Sequence, residues 1–369
     1  MVTRSESGPV IDSVSASCFK VPTETPESDG TLAWDQTTLV LVEVAAGGKK
    51  GLGYSYADTA TGKLVETLLA HVVKGRPVLD IPAAHVAMRR AVRNLGSAGI
   101  AAMAISAVDT ALWDLKGRLL EVSLVDLLGG ARNEAPVYGS GGFTSYSLDE
   151  LQKQLGDWAR AGLKSVKMKV GRDPAADLHR VRAAREAIGS ETQLFVDANG
   201  AYSRKEALRF AEEFAAFGVT WFEEPVSSDD LGGLRFLRER VPAEIEIAAG
   251  EYGYDSLYFR RMLDSGAVDV LQADATRCCG FTGFLEAAAL CAAFQAPFSF
   301  HCAPALHAAI ACAAPTFRIG EYFFDHVRIE EMFFDGVPKL VDGALKPDRS
   351  RPGIGLEFKH SAAERFRIS

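Results

Sequence analysis

The chain has 369 residues, more than one small domain and about right for a barrel with a second domain beside it. Hydrophobic residues make up 48% and charged residues 24%, the balance of an ordinary soluble globular protein. The net charge of −8, with no Lys/Arg-rich tract, argues against a nucleic-acid-binding surface, and no run approaches ~18 consecutive apolar residues, so no transmembrane helix is expected.

The N-terminus, MVTRSESGPV, lacks the apolar run of a signal peptide, which predicts a cytoplasmic protein. Cys18, Cys278, Cys279, Cys291, Cys302 and Cys312 make no C-x-x-C pair and read as buried, reduced thiols. Residues 10–20 and 37–45 read as strands, the second strongly β-prone. Between them residues 21–36 are polar with Pro and Gly, and predict a long loop acting as a lid or disordered. Gly47-Gly48-Lys49-Lys50-Gly51 reads as a turn into a third strand near residues 53–56. Residues 62–128 are helical by pattern. The stretch 101–120 is apolar around much of its circumference and should be buried on most sides. Gly129 sits at a C-cap position.

From Pro136 the rhythm changes. Strands are predicted at 136–140, 165–170, 193–198, 219–224, 245–250, 268–273, 298–302 and 318–322. Helices at 148–161, 175–188, 205–217 and 280–294 are among those that fill the gaps. This α/β alternation implies a parallel sheet, and eight strands imply closure into a barrel. After 325 the pattern breaks into short Gly-, Pro- and Asp-containing pieces, expected to pack back on the first domain. The predicted organisation is an N-terminal domain over 1–130, a barrel over 131–325 and a C-terminal segment over 326–369.

Ionisable residues recur at or near the C-terminal ends of the predicted strands, where barrel active sites collect. Lys167 and Lys169 share one face of their strand, and Val166, Met168 and Val170 share the other. The apolar set must face helices, so both lysines should point into the barrel. Mutual repulsion of the two ammonium groups should lower the pKa of at least one and make it a candidate base. Asp197, Glu223 and Glu251 end consecutive strands, and three carboxylates at one depth call for a cation. An all-oxygen donor set suits Mg²⁺, or Mn²⁺. Glu224 should point away from the ion. Alternation along Phe298-Ser299-Phe300-His301-Cys302 places His301 inward and Cys302 outward, so Cys302 should not partner His301 as a nucleophile. Asp274 can accept from the imidazole and raise its basicity. Glu321 can reach the same cavity. No phosphate-binding G-x-x-x-x-G-K-[ST] loop, dinucleotide fingerprint or G-x-S-x-G elbow occurs.

The segments VKMKVG, VDAN, WFEEP, AAGE, LQADATRCCGFTG, FSFH and RIGEY, with the earlier AAMAISAVDTALWDLKGRLL and LLGG, together resemble the mandelate racemase subgroup of the enolase superfamily. The resemblance spans nearly the whole chain. It implies a modified (β/α)₇β TIM-like barrel with an α+β capping domain built from the N-terminal region and the C-terminal segment. By matched motif, Asp197, Glu223 and Glu251 resemble Mg²⁺ ligands. Lys169, with Lys167 as electrostatic partner, resembles a base on one face of the substrate. His301 with Asp274 resembles a base or acid on the opposite face. Glu321 resembles an acid that hydrogen-bonds the substrate carboxylate. Arg277-Cys278-Cys279 departs from the small and aliphatic residues anticipated there.

The implied chemistry is removal of a proton α to a carboxylate, giving an enediolate stabilised by Mg²⁺ and Glu321. Loss of a β-hydroxyl then gives a 2-keto acid, the reaction the resemblance favours for an acid sugar. Return of the proton to the other face gives a racemase or epimerase of a 2-hydroxy acid. A catalytically silent metal-bound binding protein is disfavoured, because none of these residues is lost. Substrate selection is expected in residues 21–36 and 47–58, where Trp34, Tyr54 and Tyr56 are pocket candidates, and at Asn199. The anticipated partners are a small-molecule carboxylate and further copies of the chain in a homo-oligomer, with no nucleic acid and no membrane.

Overall fold

Alternating β-branched and apolar residues build an antiparallel sheet first. In this computed structural model, which describes residues 8–368, strands β1 (Ser13–Ser28), β2 (Ala33–Ala46) and β3 (Lys49–Tyr56) pair in that order. Residues 1–7, which carry most of the segment read as lacking a signal peptide, lie outside the described residues. Strand β2 is covered on both faces. Leu39 and Leu41 join the barrel-side core, while Val42 and Val44 join a core built on helices.

Residues 21–36 are not the long loop expected. They continue β1 and β2 as a hairpin that turns at 29–32, with Val21 opposite Thr37, Pro22 opposite Gln36 and, after a register shift, Glu27 opposite Trp34. Pro22 and Pro26 suggested a loop because proline cannot donate to a ladder. Here β1 is an edge strand and its register breaks between Pro22 and Glu27, so the missing donors cost little.

The region read as helical over 62–128 divides into α1 (Thr59–Leu64), a π-helical turn at Val65–Leu69, α2 (Ala70–Val73), α3 (Ile81–Ala91), α4 (Ile100–Leu120) and α5 (Leu124–Leu128). Helix α4 lies so close to β3 that the sheet must carry glycine there. A Cβ on Gly51 would collide with Ala111 O, and one on Gly53 with Ala107 O.

The barrel strands are β4 (Ala135–Gly141), β5 (Ser165–Lys169), β6 (Gln193–Asp197), β7 (Val219–Glu223), β8 (Glu246–Ala249), β9 (Val270–Ala273), β10 (Phe298–Phe300) and β11 (Phe317–Phe323). They pair in parallel in chain order, and β11 returns to β4 with Gly320 opposite Val137. Helices α6 (Leu148–Arg160), α7 (Pro174–Ile188), α8 (Arg204–Ala215), α9 (Leu231–Arg238), α10 (Ser256–Asp264), α11 (Gly280–Phe294) and α12 (Pro304–Ala313) take the crossovers. Seven βα units and a closing strand make a (β/α)₇β barrel, with the antiparallel domain beside it. Tyr138, Phe195, Trp221, Ala248 and Val270 fill the barrel interior as one buried layer. Asp109 and Ser106 of α4 accept from the backbone N–H groups of Thr282 and Gly280, which pins the first domain to α11.

The chain then runs through α13 (Phe324–Phe333) and β12 (Phe334–Asp335). A hairpin follows, of β13 (Leu340–Val341) and β14 (Ala344–Leu345), then β15 (Glu357–Phe358) and α14 (His360–Ala363). This segment divides its contacts. Strand β14 extends the barrel sheet beside β4, while Phe333 and Phe358 pack on Phe19 of β1. All six cysteines are buried and none forms a disulfide, and among the described residues no helix is long and apolar enough to cross a membrane.

Candidate active site

Strand register sets the site. Lys169 is the ladder partner of Asp197, and Asp197 is the partner of Glu223, so three charged side chains stand at one level on β5, β6 and β7. Lys169 Nζ lies 2.5 Å from Asp197 Oδ2. One layer deeper, Lys167 Nζ lies 2.6 Å from Glu223 Oε1, 2.9 Å from Glu321 Oε1 and 3.5 Å from Asp197 Oδ2. Trp221 Nε1 donates to the other Glu223 oxygen at 3.0 Å. Glu251 follows Gly250, where a φ of +138° and a backbone pressed so closely on Gln272 O that any Cβ would collide with it admit only glycine.

Both lysines are more basic than usual, not less. Burial lowers each, but Glu223 and Glu321 outweigh it at Lys167, and at Lys169 Asp197 together with Glu321 and Glu251 outweighs burial and the second ammonium. The expectation of a lowered lysine considered only the like charge and omitted the carboxylates across the ladder. The site as a whole holds excess negative charge. Burial and the neighbouring Asp197 and Glu321 push Glu223 up to about 8 despite Lys167, and burial next to Glu251 raises Glu224 well above the usual range.

Oxygens of Asp197, Glu223 and Glu251 lie within 4.8 Å of one another. Glu251 Oε2 makes no hydrogen bond although His301 Nε2 is 3.3 Å away. A buried, all-oxygen trio with one orphan oxygen and surplus negative charge fits a hard divalent cation such as Mg²⁺. Glu224 adds to the field but is outside this trio. It lines an adjoining cavity with Asn199 and Tyr252.

Across the barrel, His301 Nδ1 pairs with Asp274 Oδ2 at 2.8 Å. Asp274 Oδ1 accepts from Thr276 N, and His307 Nε2 accepts from Ala275 N, so the loop that carries Asp274 is held from both sides. Burial raises Asp274, but the hydrogen bond and charge of His301 overcome it and keep the carboxylate ionised. Burial lowers His301, while Glu251 and Glu321 raise it above its ordinary value. Glu321 is anchored by Ser140 Oγ at 2.6 Å and Cys302 N at 3.0 Å.

Two readings of orientation are corrected. Cys302 does not point outward. Strand β10 ends at Phe300, and Cys302 and Ala303 take left-handed φ of 52° and 40°, so alternation stops before it reaches them. Cys302 Sγ thereby lies 3.2 Å from His301 Nε2. Burial, Glu321 and Asp274 keep it a thiol, so the nucleophile reading still fails, on charge and not on direction. Tyr54 does not face the pocket. It shares a face of β3 with Tyr56 but sits one step deeper, where it is fully buried, donates to Glu330 Oε1 at 2.6 Å and stacks on Phe334.

A cavity of about 390 Å³ opens above these groups, and Lys169, Glu251, His301, Cys302, Trp34, Tyr56 and Asn199 all reach it. Its roof is the β1–β2 hairpin and the end of β3, the two stretches expected to select substrate. Lys167, Asp197, Glu223, Asp274 and Glu321 stand beneath or behind this lining. Among the other lining residues, Arg277, Tyr252 and His326 carry polar or aromatic groups that the strand pattern did not assign to the site. Arg277 reaches Glu251 Oε1 at 3.3 Å and Asp274 Oδ2 at 3.7 Å, and the sequence marked it only as a departure from the anticipated small and aliphatic residues. Tyr252 lies under the Arg277 guanidinium. His326 stacks on Tyr56 at 3.4 Å, and it comes after the last predicted strand, where no pattern pointed to the pocket.

Residues 14–129 match the mandelate racemase / muconate lactonizing enzyme N-terminal domain, and residues 150–362 match the enolase C-terminal domain-like family. A mandelate racemase/muconate lactonizing enzyme-like protein of known structure from Rubrobacter xylanophilus is 53% identical, with a TM-score of 0.96 over 98% of this chain and 100% of that one. A racemase from Streptomyces coelicolor, solved with bound magnesium, is 29% identical, with a TM-score of 0.91 over 97% of this chain and 100% of its own. The L-talarate/galactarate dehydratase of Salmonella typhimurium is 29% identical, and the match covers 98% of this chain and 92% of that protein. The chain belongs to the mandelate racemase/muconate lactonizing enzyme family of the enolase superfamily.

Proposed function

We propose that this member of the mandelate racemase/muconate lactonizing enzyme family is a Mg²⁺-dependent acid-sugar dehydratase. It removes the proton α to a carboxylate and expels the β-hydroxyl as water, and the resulting enol tautomerises to a 2-keto acid. One observation carries the reading. Lys169 and His301, the latter held by Asp274, reach one cavity from the second and seventh barrel strands, with the carboxylates of Asp197, Glu223 and Glu251 between them. Similarity to a dehydratase of a sugar diacid, over nearly the full length of both chains, supports this choice of reaction.

Asp197, Glu223 and Glu251 would hold the Mg²⁺, or Mn²⁺, and the ion supplies positive charge to the substrate carboxylate as the α-carbon becomes electron-rich. With the carboxylate charge so engaged, burial and the neighbouring Lys167 remain to lower Lys169 toward a usable base. Lys167 places further positive charge at the same end, and Glu321, held well below the usual carboxylate range by Lys167 and His301 despite burial, must first take up a proton to hydrogen-bond the substrate carboxylate. Asp274 fixes His301 with its Nδ1 proton inward, leaving Nε2 toward the cavity to carry a proton to the departing hydroxyl.

Racemisation or epimerisation of a 2-hydroxy acid is the second reading, favoured by the two bases and by similarity to the Streptomyces racemase. The deciding experiment is a screen of mono- and diacid sugars with Mg²⁺, scored both for 2-keto acid and for α-proton exchange. Keto-acid release supports the dehydratase. Exchange without elimination supports the isomerase. Neither, on any acid, leaves a binding protein.

A further inference from the structure

We infer that His301, Cys302 and Glu321 form a second cation site, selective for thiophilic divalent ions such as Zn²⁺, which inhibits the enzyme when filled. His301 Nε2 and Cys302 Sγ are 3.2 Å apart, Cys302 Sγ and Glu321 Oε2 are 3.4 Å apart, and His301 Nε2 and Glu321 Oε2 are 3.6 Å apart. A tetrahedral Zn²⁺ with Zn–S of ~2.3 Å and Zn–N and Zn–O of ~2.0–2.2 Å spaces its donors by roughly 3.4–3.6 Å. The triangle is therefore already the size of one face of such a tetrahedron.

The remaining valences agree. Asp274 holds His301 by Nδ1, so Nε2 is the nitrogen left to coordinate, in the carboxylate–histidine–metal arrangement that orients zinc ligands. Glu321 Oε1 is taken by Ser140 and Lys167, which leaves Oε2, whose present contacts are Cys302 and His301. His301 and Cys302 border the cavity, so an ion can enter and the fourth position opens to solvent or substrate. The donor chemistry separates this site from the carboxylate trio: one nitrogen and one sulfur suit Zn²⁺, Co²⁺ or Cd²⁺ and reject Mg²⁺. On binding, the Cys302 thiol gives up its proton to solvent, His301 coordinates through a neutral Nε2, and Glu321, held below the usual carboxylate range by Lys167 and His301 despite burial, offers an ionised oxygen. Cation affinity does not depend on the proposed reaction. Inhibition rests on that reading, because the ion would occupy His301 and Glu321.

Co²⁺ titration of Mg²⁺-saturated protein tests the site. One thiolate-to-cobalt charge-transfer band per chain should appear and be displaced by Zn²⁺. The band should vanish in Cys302→Ser and need more than about tenfold more Co²⁺ in His301→Asn, which keeps the thiol. Absence of the band in the wild type, or its survival in Cys302→Ser, overturns the proposal. In turnover assays with excess Mg²⁺, Zn²⁺ should inhibit the wild type and lose at least about tenfold in potency against Cys302→Ser. Equal potency overturns the inhibitory role. A band with no turnover of any acid leaves the cation site standing and removes the dehydratase reading.

Discussion

Lys169 Nζ and Asp197 Oδ2 are 2.5 Å apart across adjacent parallel strands, in direct register. One carboxylate thus serves both the candidate base and the candidate metal site. Proton affinity at Lys169 and cation occupancy are coupled through it, and neither group can be understood alone.

Metal removal should expose that coupling. Chelation with EDTA should abolish turnover and added Mg²⁺ should restore it. Mg²⁺ should also raise the wild-type melting temperature, since it binds the folded state alone. Glu251→Gln removes the orphan carboxylate's charge and should shrink the Mg²⁺-induced shift while the metal-free melting temperature holds. Full turnover in chelator would remove the metal from the mechanism.

Arg277 joins the two halves of the site, touching Glu251 on one side and Asp274 on the other. Burial lowers it, but both carboxylates overcome this and keep it charged. Arg277→Met should leave two buried carboxylates under-paired. We expect kcat to fall ~10–100-fold and half-saturation by Mg²⁺ to move up, the scale seen when a group orienting a metal ligand is lost. Arg277→Lys should recover part of both, since it keeps charge without the planar fork. Unchanged kcat and Mg²⁺ dependence in Arg277→Met would reduce it to wall packing.

Glu330 gives a stability signature away from the metal. It accepts from Tyr54 Oη and Ala305 N in a fully buried setting, and burial pushes it up to about 8 from an ordinary 4.5. A folded-state value above the unfolded one means the folded chain binds the extra proton. Its contribution is present below about 4.5 and is lost as pH rises through about 8. Glu330→Gln mimics the protonated form and should lose less stability across that window. Denaturant midpoints measured at several pH values should diverge in the mutant's favour as pH rises. Parallel curves would mean that Glu330 is ionised throughout.

Period-two and strand–helix patterns made the barrel legible. Val166-Lys167-Met168-Lys169 alternates cleanly, and the structure puts Val166 and Met168 against the helices and both lysines inside. The same rule failed at Cys302, because alternation holds only while the backbone stays extended, and the left-handed turn at 302–303 has no residue-level marker such as glycine. Tyr54 was misplaced for the complementary reason. It shares a face of β3 with Tyr56, so alternation does not tell which of the two reaches the cavity, and the Glu330 acceptor that holds Tyr54 deeper is 276 positions along the chain. Arg277 and His326 join the site through turns and a helix start, where no period links sequence to direction.

Deuterium exchange separates the two faces of the site. Lys169 comes from the second barrel strand and His301 from the seventh, so each should handle the α-proton of one stereochemical sense. In D₂O, Lys169→Ala should lose exchange on one epimer and keep the exchange carried by His301 on the other. His301→Asn should reverse the pattern. One mutant should also lose elimination while retaining exchange, because abstraction of the α-proton and departure of the β-hydroxyl use different groups. Each loss should be ~10²–10⁴-fold, the contribution of one positioned acid or base. Asp274→Asn should resemble His301→Asn, since without the carboxylate the imidazole loses the partner that fixes its Nδ1 proton. Near wild-type rates in both Lys169→Ala and His301→Asn on the true substrate would mean that protons are moved by neither residue, and the two-face mechanism would be wrong.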